Sequence, residues 1–112
     1  KTKIIANPNC STIQMLVALK PIHEEFKIKR IDITTLQAVS GTGKEATEEL
    51  LDQLSAYQGD NEFENNIYPK QIANNALPHC DVMEENRYTK EENKLLKETH
   101  KILDSNIHLH YF

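Results

Sequence analysis

The chain has 112 residues, 38% of them hydrophobic and 27% charged, a composition suited to one globular domain. Its formal net charge of -4, with scattered basic residues, argues against binding to a nucleic-acid backbone. The longest mainly apolar stretch, residues 13–19, is too short to span a bilayer, and no signal-peptide pattern is present. We therefore expect a cytoplasmic protein without membrane or nucleic-acid partners.

The N-terminal region predicts a strand, a turn and a helix start. Residues 3–6 are apolar enough for a strand, and Asn7-Pro8-Asn9 is typical of a turn that interrupts regular structure. A helix is expected to begin near Cys10 or Ser11. Its apolar residues recur with helical spacing, so we expect this helix to be largely buried and Pro21 to kink or split it. They are Ile13, Leu16, Val17, Leu19, Ile22 and Phe26.

Cys10 lies where the predicted turn becomes a helix. Unpaired N–H groups and the positive end of the helix dipole favour a thiolate at such a position, which would make the residue a nucleophile. Most free cysteines, however, are small buried hydrophobic residues. Position alone therefore leaves both interpretations open.

The middle of the chain predicts a strand, a glycine-containing break and a helix. Residues 30–37 are rich in β-branched side chains, and the break follows at residues 40–43. Residues 44–57 have the apolar spacing and early acidic residues of an amphipathic helix. A polar loop is expected over 58–66, and periodicity stays weak as far as Pro78.

The C-terminal region predicts a capped helix and a final strand. Thr89 is a good N-cap, and Glu92 three residues later completes a capping-box spacing. The helix is expected to continue to about Asp104, and residues 107–112 resemble a strand. The prediction is thus an α/β (α+β) fold in which a mixed sheet is flanked by helices.

Metal binding is not predicted. The two cysteines lack zinc-site spacing, and His108 and His110 would share one side of a strand without an evident third ligand. The remaining histidines are His23, His79 and His100.

Four segments of the chain occur together in one order and carry a family resemblance. They are Asn7-Pro8-Asn9-Cys10-Ser11-Thr12, Gln37-Ala38-Val39-Ser40-Gly41, Asn75-Ala76-Leu77-Pro78 and Tyr88-Thr89-Lys90-Glu91-Glu92-Asn93-Lys94. In these residues the chain resembles aspartate-semialdehyde dehydrogenases. The resemblance implies NADP-dependent, reversible conversion of β-aspartyl phosphate to aspartate β-semialdehyde and phosphate, in lysine, threonine, methionine and isoleucine biosynthesis. It also implies that Cys10 is the nucleophile that forms a thioacyl intermediate.

The resemblance assigns further roles residue by residue. Gln37 matches the glutamine that orients the substrate and the thioacyl group, so it counts with Cys10 as catalytic. Glu91 matches the acid that pairs with the substrate's amino group, Lys94 matches a lysine near its phosphate or carboxylate, and Asn9 is expected to contact phosphate. Without the resemblance, the i, i+3 spacing of Glu91 and Lys94 would suggest a solvated ion pair.

Two residues match the segment that lies against the cofactor, namely Ser40 and Gly41. A glycine there lets the backbone approach the cofactor closely. Without the resemblance, this turn would be an ordinary connection between a strand and a helix.

The resemblance also implies a domain organisation. Residues 1–112 are expected to form one partial domain, with the strand, cysteine turn and helix in 1–26 and a catalytic and dimerisation segment in 27–112. The family's N-terminal dinucleotide-binding (Rossmann) domain is expected to lie outside this chain, and its acid/base histidine and substrate arginine are expected beyond residue 112. We therefore expect an internal fragment, inactive alone, of a homo-oligomeric parent enzyme.

Some residues depart from the family pattern. Leu36 replaces a tyrosine, Asn74 an aromatic residue and Asn93 a common methionine, and the loop at 58–66 is short. These changes and the truncation leave open a non-catalytic relative that kept the fold as an interaction domain. A second alternative is N-acetyl-glutamyl-phosphate reductase, although Asn9 stands where that family usually has glycine and Glu91 favours an aspartyl substrate.

Overall fold

The computed structural model describes residues 3–59, 61–78 and 80–111. In chain order the elements are helix α1 (Cys10–Phe26), strand β1 (Arg30–Ile33), a 3-10 turn (Val39–Gly41), helix α2 (Lys44–Gly59), helix α3 (Lys90–Ile102) and strand β2 (His108–Tyr111). They divide into two compact units. The first comprises the described residues of Lys1–Thr35 and Val82–Phe112, and the second those of Leu36–Asp81. The combination of helices and paired strands confirms the predicted α/β class.

The sheet of the first unit has two parallel strands. Arg30 lies opposite His108 and Ile33 opposite Tyr111, and Ile31 is 7% exposed. The predicted strand 30–37 is longer than the observed one, which pairs over Arg30–Ile33. The predicted final strand is confirmed over β2, whereas Phe112 lies outside the described residues.

The predicted strand at residues 3–6 is wrong. This segment has no regular secondary structure, and Ile4 and Ile5 are 86% and 91% exposed. A strand requires the backbone of a neighbouring strand. Within the described residues, β1 and β2 pair with each other and not with this segment.

Helix α1 begins at Cys10 as predicted and continues through Pro21 without interruption. It ends at a left-handed residue, Lys27, whose N–H donates to the carbonyl of His23 at 2.9 Å. The predicted split at Pro21 is therefore wrong, and a kink there stays a prediction.

The expected burial of α1 is wrong for the described residues. Only Thr12 and Leu16 are buried in this helix, whereas Val17 and Phe26 are 73% and 77% exposed. Helix α3 packs along the Thr12 side, and much of the apolar stripe stays exposed. An apolar pattern predicts which side chains favour burial but not how much of the stripe a neighbour covers.

Helix α2 is the main element of the second unit. It follows Gly43, whose φ of 124° is readily adopted only by glycine, and it ends two residues later than predicted, at Gly59. Its buried residues are Ala46, Glu49 and Gln53, whereas Leu51 is 57% exposed.

The buried polar side chains of α2 hold the loop that follows it. The Glu49 carboxylate accepts hydrogen bonds from the backbone N–H groups of Asn66 at 2.7 Å and Ile67 at 2.6 Å. The side-chain oxygen of Gln53 accepts from the N–H groups of Ile72 at 2.9 Å and Ala73 at 3.0 Å. The loop thus gains side-chain acceptors for four backbone N–H groups, including that of the fully buried Ala73.

Helix α3 has the predicted capping box. The Glu92 N–H donates to Thr89 Oγ1 at 3.2 Å, and the Thr89 N–H donates to Glu92 Oε2 at 2.5 Å. The helix ends at Ile102, slightly before the expected Asp104.

Among the described residues, no helix is both long and apolar enough to cross a membrane.

Candidate active site

Cys10 is the first residue of α1, and its side chain is exposed. The preceding residue, Asn9, caps the helix: its Oδ1 accepts from the backbone N–H of Ser11 at 2.9 Å and of Thr12 at 3.4 Å. An N-cap side chain satisfies N–H groups that have no partner within the helix. The sequence therefore presents Cys10 to solvent on a hydrogen-bonded first turn.

The Asn9 side chain also connects this turn to α3. Its Nδ2 donates to Glu91 Oε1 at 2.8 Å, and Lys94 Nζ lies 3.6 Å from Glu91 Oε2. The Glu91 side chain is 12% exposed and that of Lys94 41% exposed. Glu91 is therefore not part of a fully solvated ion pair: its carboxylate lies between an amide donor and an ammonium group.

A second carboxylate of α3, that of Glu98, contacts the same turn. Its Oε2 accepts from the backbone N–H of Asn9 at 2.8 Å and from Thr12 Oγ1 at 2.6 Å. Thr12 is fully buried at 0% exposure. Sequence reasoning missed both Glu98 and Thr12 as members of this cluster.

A sequence signal for Glu98 does exist. Glu91, Lys94 and Glu98 are spaced i, i+3 and i+7, which places them on one face of a helix. Once α3 is known to contact the N-terminus of α1, this face is the one that can bring charged groups to it. Carboxylates near a helix N-terminus are favoured by the helix dipole.

The arrangement has a defined chemical capacity. An exposed thiol at a helix N-terminus is a candidate nucleophile. A nearby carboxylate can bind an ammonium group, and an ammonium side chain can bind phosphate or carboxylate. The first unit thus brings together four of the predicted site residues: Asn9, Cys10, Glu91 and Lys94.

The segment before α3 and the end of β2 support the first turn of α3. The Asn86 side-chain amide donates to Asn93 Oδ1 at 3.0 Å, and Asn93 also donates to Glu84. This hydrogen-bond network satisfies the buried side chain of Asn93, at a position where the resemblance leads us to expect methionine.

Tyr111 at the end of β2 donates its hydroxyl to the backbone carbonyl of Glu92. Its ring lies 5.7 Å from that of Tyr88, at an interplanar angle of 64°. Burial, with the nearby Glu92 charge, raises the pKa of Tyr111 above its ordinary value. The hydroxyl therefore remains a donor to α3.

The other predicted site residues belong to the second unit. Gln37 lies between β1 and the 3-10 turn, and Ser40 and Gly41 lie in that turn. No atom lies within 4 Å of the position that a Cβ would take at Gly41, so the backbone there is open to an approaching group. The roles of these three residues remain predictions.

Two histidines, His23 and His100, have local structural partners, whereas His79 lies outside the described residues. His23 Nε2 lies 3.5 Å from Asp104 Oδ2, and His100 Nε2 donates to the backbone carbonyl of Ile107 at 2.8 Å. In the described part of the chain, no group of three or more His, Cys, Asp or Glu residues could hold a metal ion.

Comparison with known proteins gives the same family from sequence and from structure. Residues 19–109 match the family model described as semialdehyde dehydrogenase, dimerisation domain. The chain is 60% identical over 88 residues to aspartate-semialdehyde dehydrogenase of Shewanella violacea, covering 79% of this chain and 26% of that protein. It is 48% identical over 109 residues to that of Campylobacter jejuni, covering 96% of this chain and 32% of the relative.

Solved structures agree with these matches. Aspartate semialdehyde dehydrogenase II from Vibrio cholerae superposes with a TM-score of 0.93 at 50% identity, covering 96% of this chain and 32% of that one. The same protein complexed with ASA gives a TM-score of 0.92 at 49% identity, with the same two coverages. The chain spans about a third or less of the length of these relatives. It belongs to the semialdehyde dehydrogenase family, whose dimerisation domain its residues 19–109 match.

Proposed function

We propose that the chain forms part of an aspartate-semialdehyde dehydrogenase that interconverts β-aspartyl phosphate and aspartate β-semialdehyde, with NADP as cofactor. The observation that carries this proposal is the contact of Asn9 with Glu91, because it joins the cysteine turn to the charged face of α3. The proposal is also supported by the two relatives named above, because both are called aspartate-semialdehyde dehydrogenase.

Cys10 acts as the nucleophile. Its thiolate sulfur attacks the acyl carbon of β-aspartyl phosphate, a carbon–sulfur bond forms, and the carbon–oxygen bond to phosphate breaks with both electrons leaving on phosphate. The resulting thioester stores the acyl group on the protein and divides one difficult displacement into two easier steps. In the reverse direction, inorganic phosphate attacks the thioester and the thiolate leaves.

Glu91 and Lys94 recognise the charged ends of the substrate. The Glu91 carboxylate binds the substrate's ammonium group, and Lys94 Nζ binds its phosphate or carboxylate. Both groups lie on one face of α3, with 3.6 Å between Lys94 Nζ and Glu91 Oε2. Asn9, through its amide, contacts phosphate or holds Glu91 in place for the ammonium group. A carboxylate on this face favours an amine-bearing aspartyl substrate over an N-acetylated one.

Gln37 orients the thioacyl carbonyl through its side-chain amide. Ser40 and Gly41 lie against the cofactor, and the open space above Gly41 fits the close approach of a flat group to the backbone. When bound, NADPH supplies the hydride that reduces the thioacyl group.

The longer protein is proposed to work as a cytoplasmic homodimer, or as a tetramer built from two dimers, in the synthesis of aspartate-derived amino acids. The matched family model is named for dimerisation, which supports a homo-oligomer. Both compact units are proposed to belong to one partial catalytic and dimerisation domain over residues 1–112.

The test is an assay of the full-length protein with aspartate β-semialdehyde, inorganic phosphate and NADP. We expect phosphate-dependent formation of NADPH. Substitution Cys10→Ser should lower kcat by at least about a thousandfold, because the weakly acidic hydroxyl lacks the thiolate's reactivity at neutral pH.

Cys80→Ser is the matched control, since Cys80 is the other exposed cysteine. Its kcat should stay within about twofold of the wild-type value. A wild-type protein without phosphate-dependent turnover would favour the non-catalytic relative. Turnover of N-acetyl-glutamate semialdehyde, without turnover of aspartate β-semialdehyde, would favour the reductase.

A further inference from the structure

We propose that Glu98 is a positioning residue: its carboxylate holds the first turn of α1, on which Cys10 lies, against the helix that carries Glu91 and Lys94. The inference rests on the proposed function, since it concerns the geometry of that reaction. No contact between Glu98 and the reacting atoms is implied.

The contacts of Glu98 surround the cysteine in sequence. One carboxylate oxygen, Oε2, accepts from the N–H of Asn9, directly before Cys10, and from the hydroxyl of Thr12, two residues after it. The distances are 2.8 and 2.6 Å, and the Thr12 side chain is fully buried. Both flanks of the cysteine are therefore tied to one atom of α3.

These bonds are not needed to cap α1. The Asn9 side chain already accepts from the N–H groups of Ser11 and Thr12. Glu98 instead binds the N–H of the N-cap residue itself and a side-chain hydroxyl, neither of which belongs to the intrahelical ladder. Its contacts therefore fix where the turn lies on α3 rather than whether the helix forms.

The position of the turn matters for a covalent reaction. Glu91 and Lys94 would hold the substrate from α3, whereas the attacking sulfur belongs to α1. An error of about 1 Å in such an alignment can cost on the order of a hundredfold in rate. A carboxylate that links the two helices beside the nucleophile would limit that error.

The experiment compares Glu98→Ala, Glu98→Gln and the matched control Lys97→Ala in the full-length protein. Lys97 is an exposed neighbour on the same helix. We expect Glu98→Ala to lower kcat by roughly 10- to 100-fold with KM for the semialdehyde within about threefold. Glu98→Gln keeps an oxygen acceptor and should recover to within about threefold of wild type, and Lys97→Ala should match wild type.

Thr12→Val and Thr12→Ser provide a second route if Glu98→Ala folds poorly. Valine removes one of the two donors and should lower kcat by about two- to fivefold, whereas serine keeps the hydroxyl and should restore it. Amide hydrogen exchange over residues 9–12 should accelerate in Glu98→Ala, and in neither Glu98→Gln nor Lys97→Ala.

Several results would overturn the inference: a Glu98→Ala kcat within twofold of wild type, no rescue by glutamine, or unchanged exchange in the turn. If the wild-type protein does not turn over, the proposed function fails, and the exchange measurement alone then decides whether Glu98 holds the turn.

Discussion

In the second unit, Glu49 of α2 is 7% exposed, and its carboxylate accepts hydrogen bonds from backbone N–H groups of the loop that follows the helix. In the first unit, Glu98 of α3 accepts from a backbone N–H and a hydroxyl in the turn that presents the exposed Cys10. Both are helical glutamates that organise non-helical backbone. The difference lies in what the organised segment carries: a polar loop in one unit and a candidate nucleophile in the other. Similar hydrogen-bond chemistry therefore serves stability in one unit and, by our proposal, alignment in the other.

The largest expected effect on stability is that of Glu49→Ala. It removes an anionic acceptor from the backbone N–H groups of Asn66, Ile67 and Tyr68, so we expect a loss of about 3 kcal/mol in unfolding free energy. Chemical denaturation measures this loss, and kcat per folded molecule should not change.

Glu48→Ala is the control for that change. Glu48 is exposed on the same helix and pairs with Lys44 at 3.4 Å, so its removal should cost no more than about 0.5 kcal/mol. Equal losses of unfolding free energy from Glu49→Ala and Glu48→Ala would contradict the claim that Glu49 stabilises the fold by holding the loop.

The next effect in size is that of Asn9→Asp, which separates capping from the contact with Glu91. Aspartate keeps the capping oxygen but places a second carboxylate oxygen where Nδ2 now donates to Glu91 at 2.8 Å. We expect kcat/KM to fall by about tenfold, with little change in Tm.

Asn9→Ser is the partner experiment, because serine also caps helices but adds no charge. It should be less impaired than Asn9→Asp at neutral pH. A larger defect in the serine variant would contradict the role assigned to electrostatics at Glu91.

A smaller effect is expected from Thr89→Ala, which removes the capping box of α3. The cost should be about 1 kcal/mol, seen as lower thermal stability and faster amide exchange in the first turn of α3. Thr89→Ser should keep most of the stability. An unchanged exchange rate in the alanine variant would show that other contacts hold this turn.

The smallest effect is expected at Asp104. The backbone N–H of Asn106 donates to its carboxylate at 2.9 Å, and this bond lowers the pKa of Asp104. A lowered folded-state pKa stabilises the fold at pH values above the ordinary carboxyl pKa, and the stabilisation is lost as pH falls through the folded value. Asp104→Asn should therefore lower Tm slightly at neutral pH and converge with wild type in acid. A difference that grows in acid would contradict this sign.

Sequence patterns predicted the elements that depend on local chemistry. The start of α1 after the Asn7-Pro8-Asn9 turn and the Thr89 capping box of α3 were both predicted, whereas the capping role of Asn9 was not. The same logic failed at residues 3–6, because a strand depends on a distant partner that local sequence does not specify.

Burial was harder to predict than helix position. The apolar spacing of α2 predicts that its leucines are buried, but Glu49 and Gln53 occupy buried positions instead. They are buried because they accept N–H groups from a loop that sequence periodicity does not describe. Glu98 was missed for a similar reason: its role depends on the packing of α3 against α1.

The most direct measurement of the central claim is mass spectrometry of the full-length protein after brief exposure to β-aspartyl phosphate without NADPH. The account predicts one β-aspartyl group in thioester linkage on the peptide that contains Cys10, removed by inorganic phosphate. Acylation of Cys80 instead, or no acylation of a protein that turns over, would contradict the assignment of Cys10 as the nucleophile.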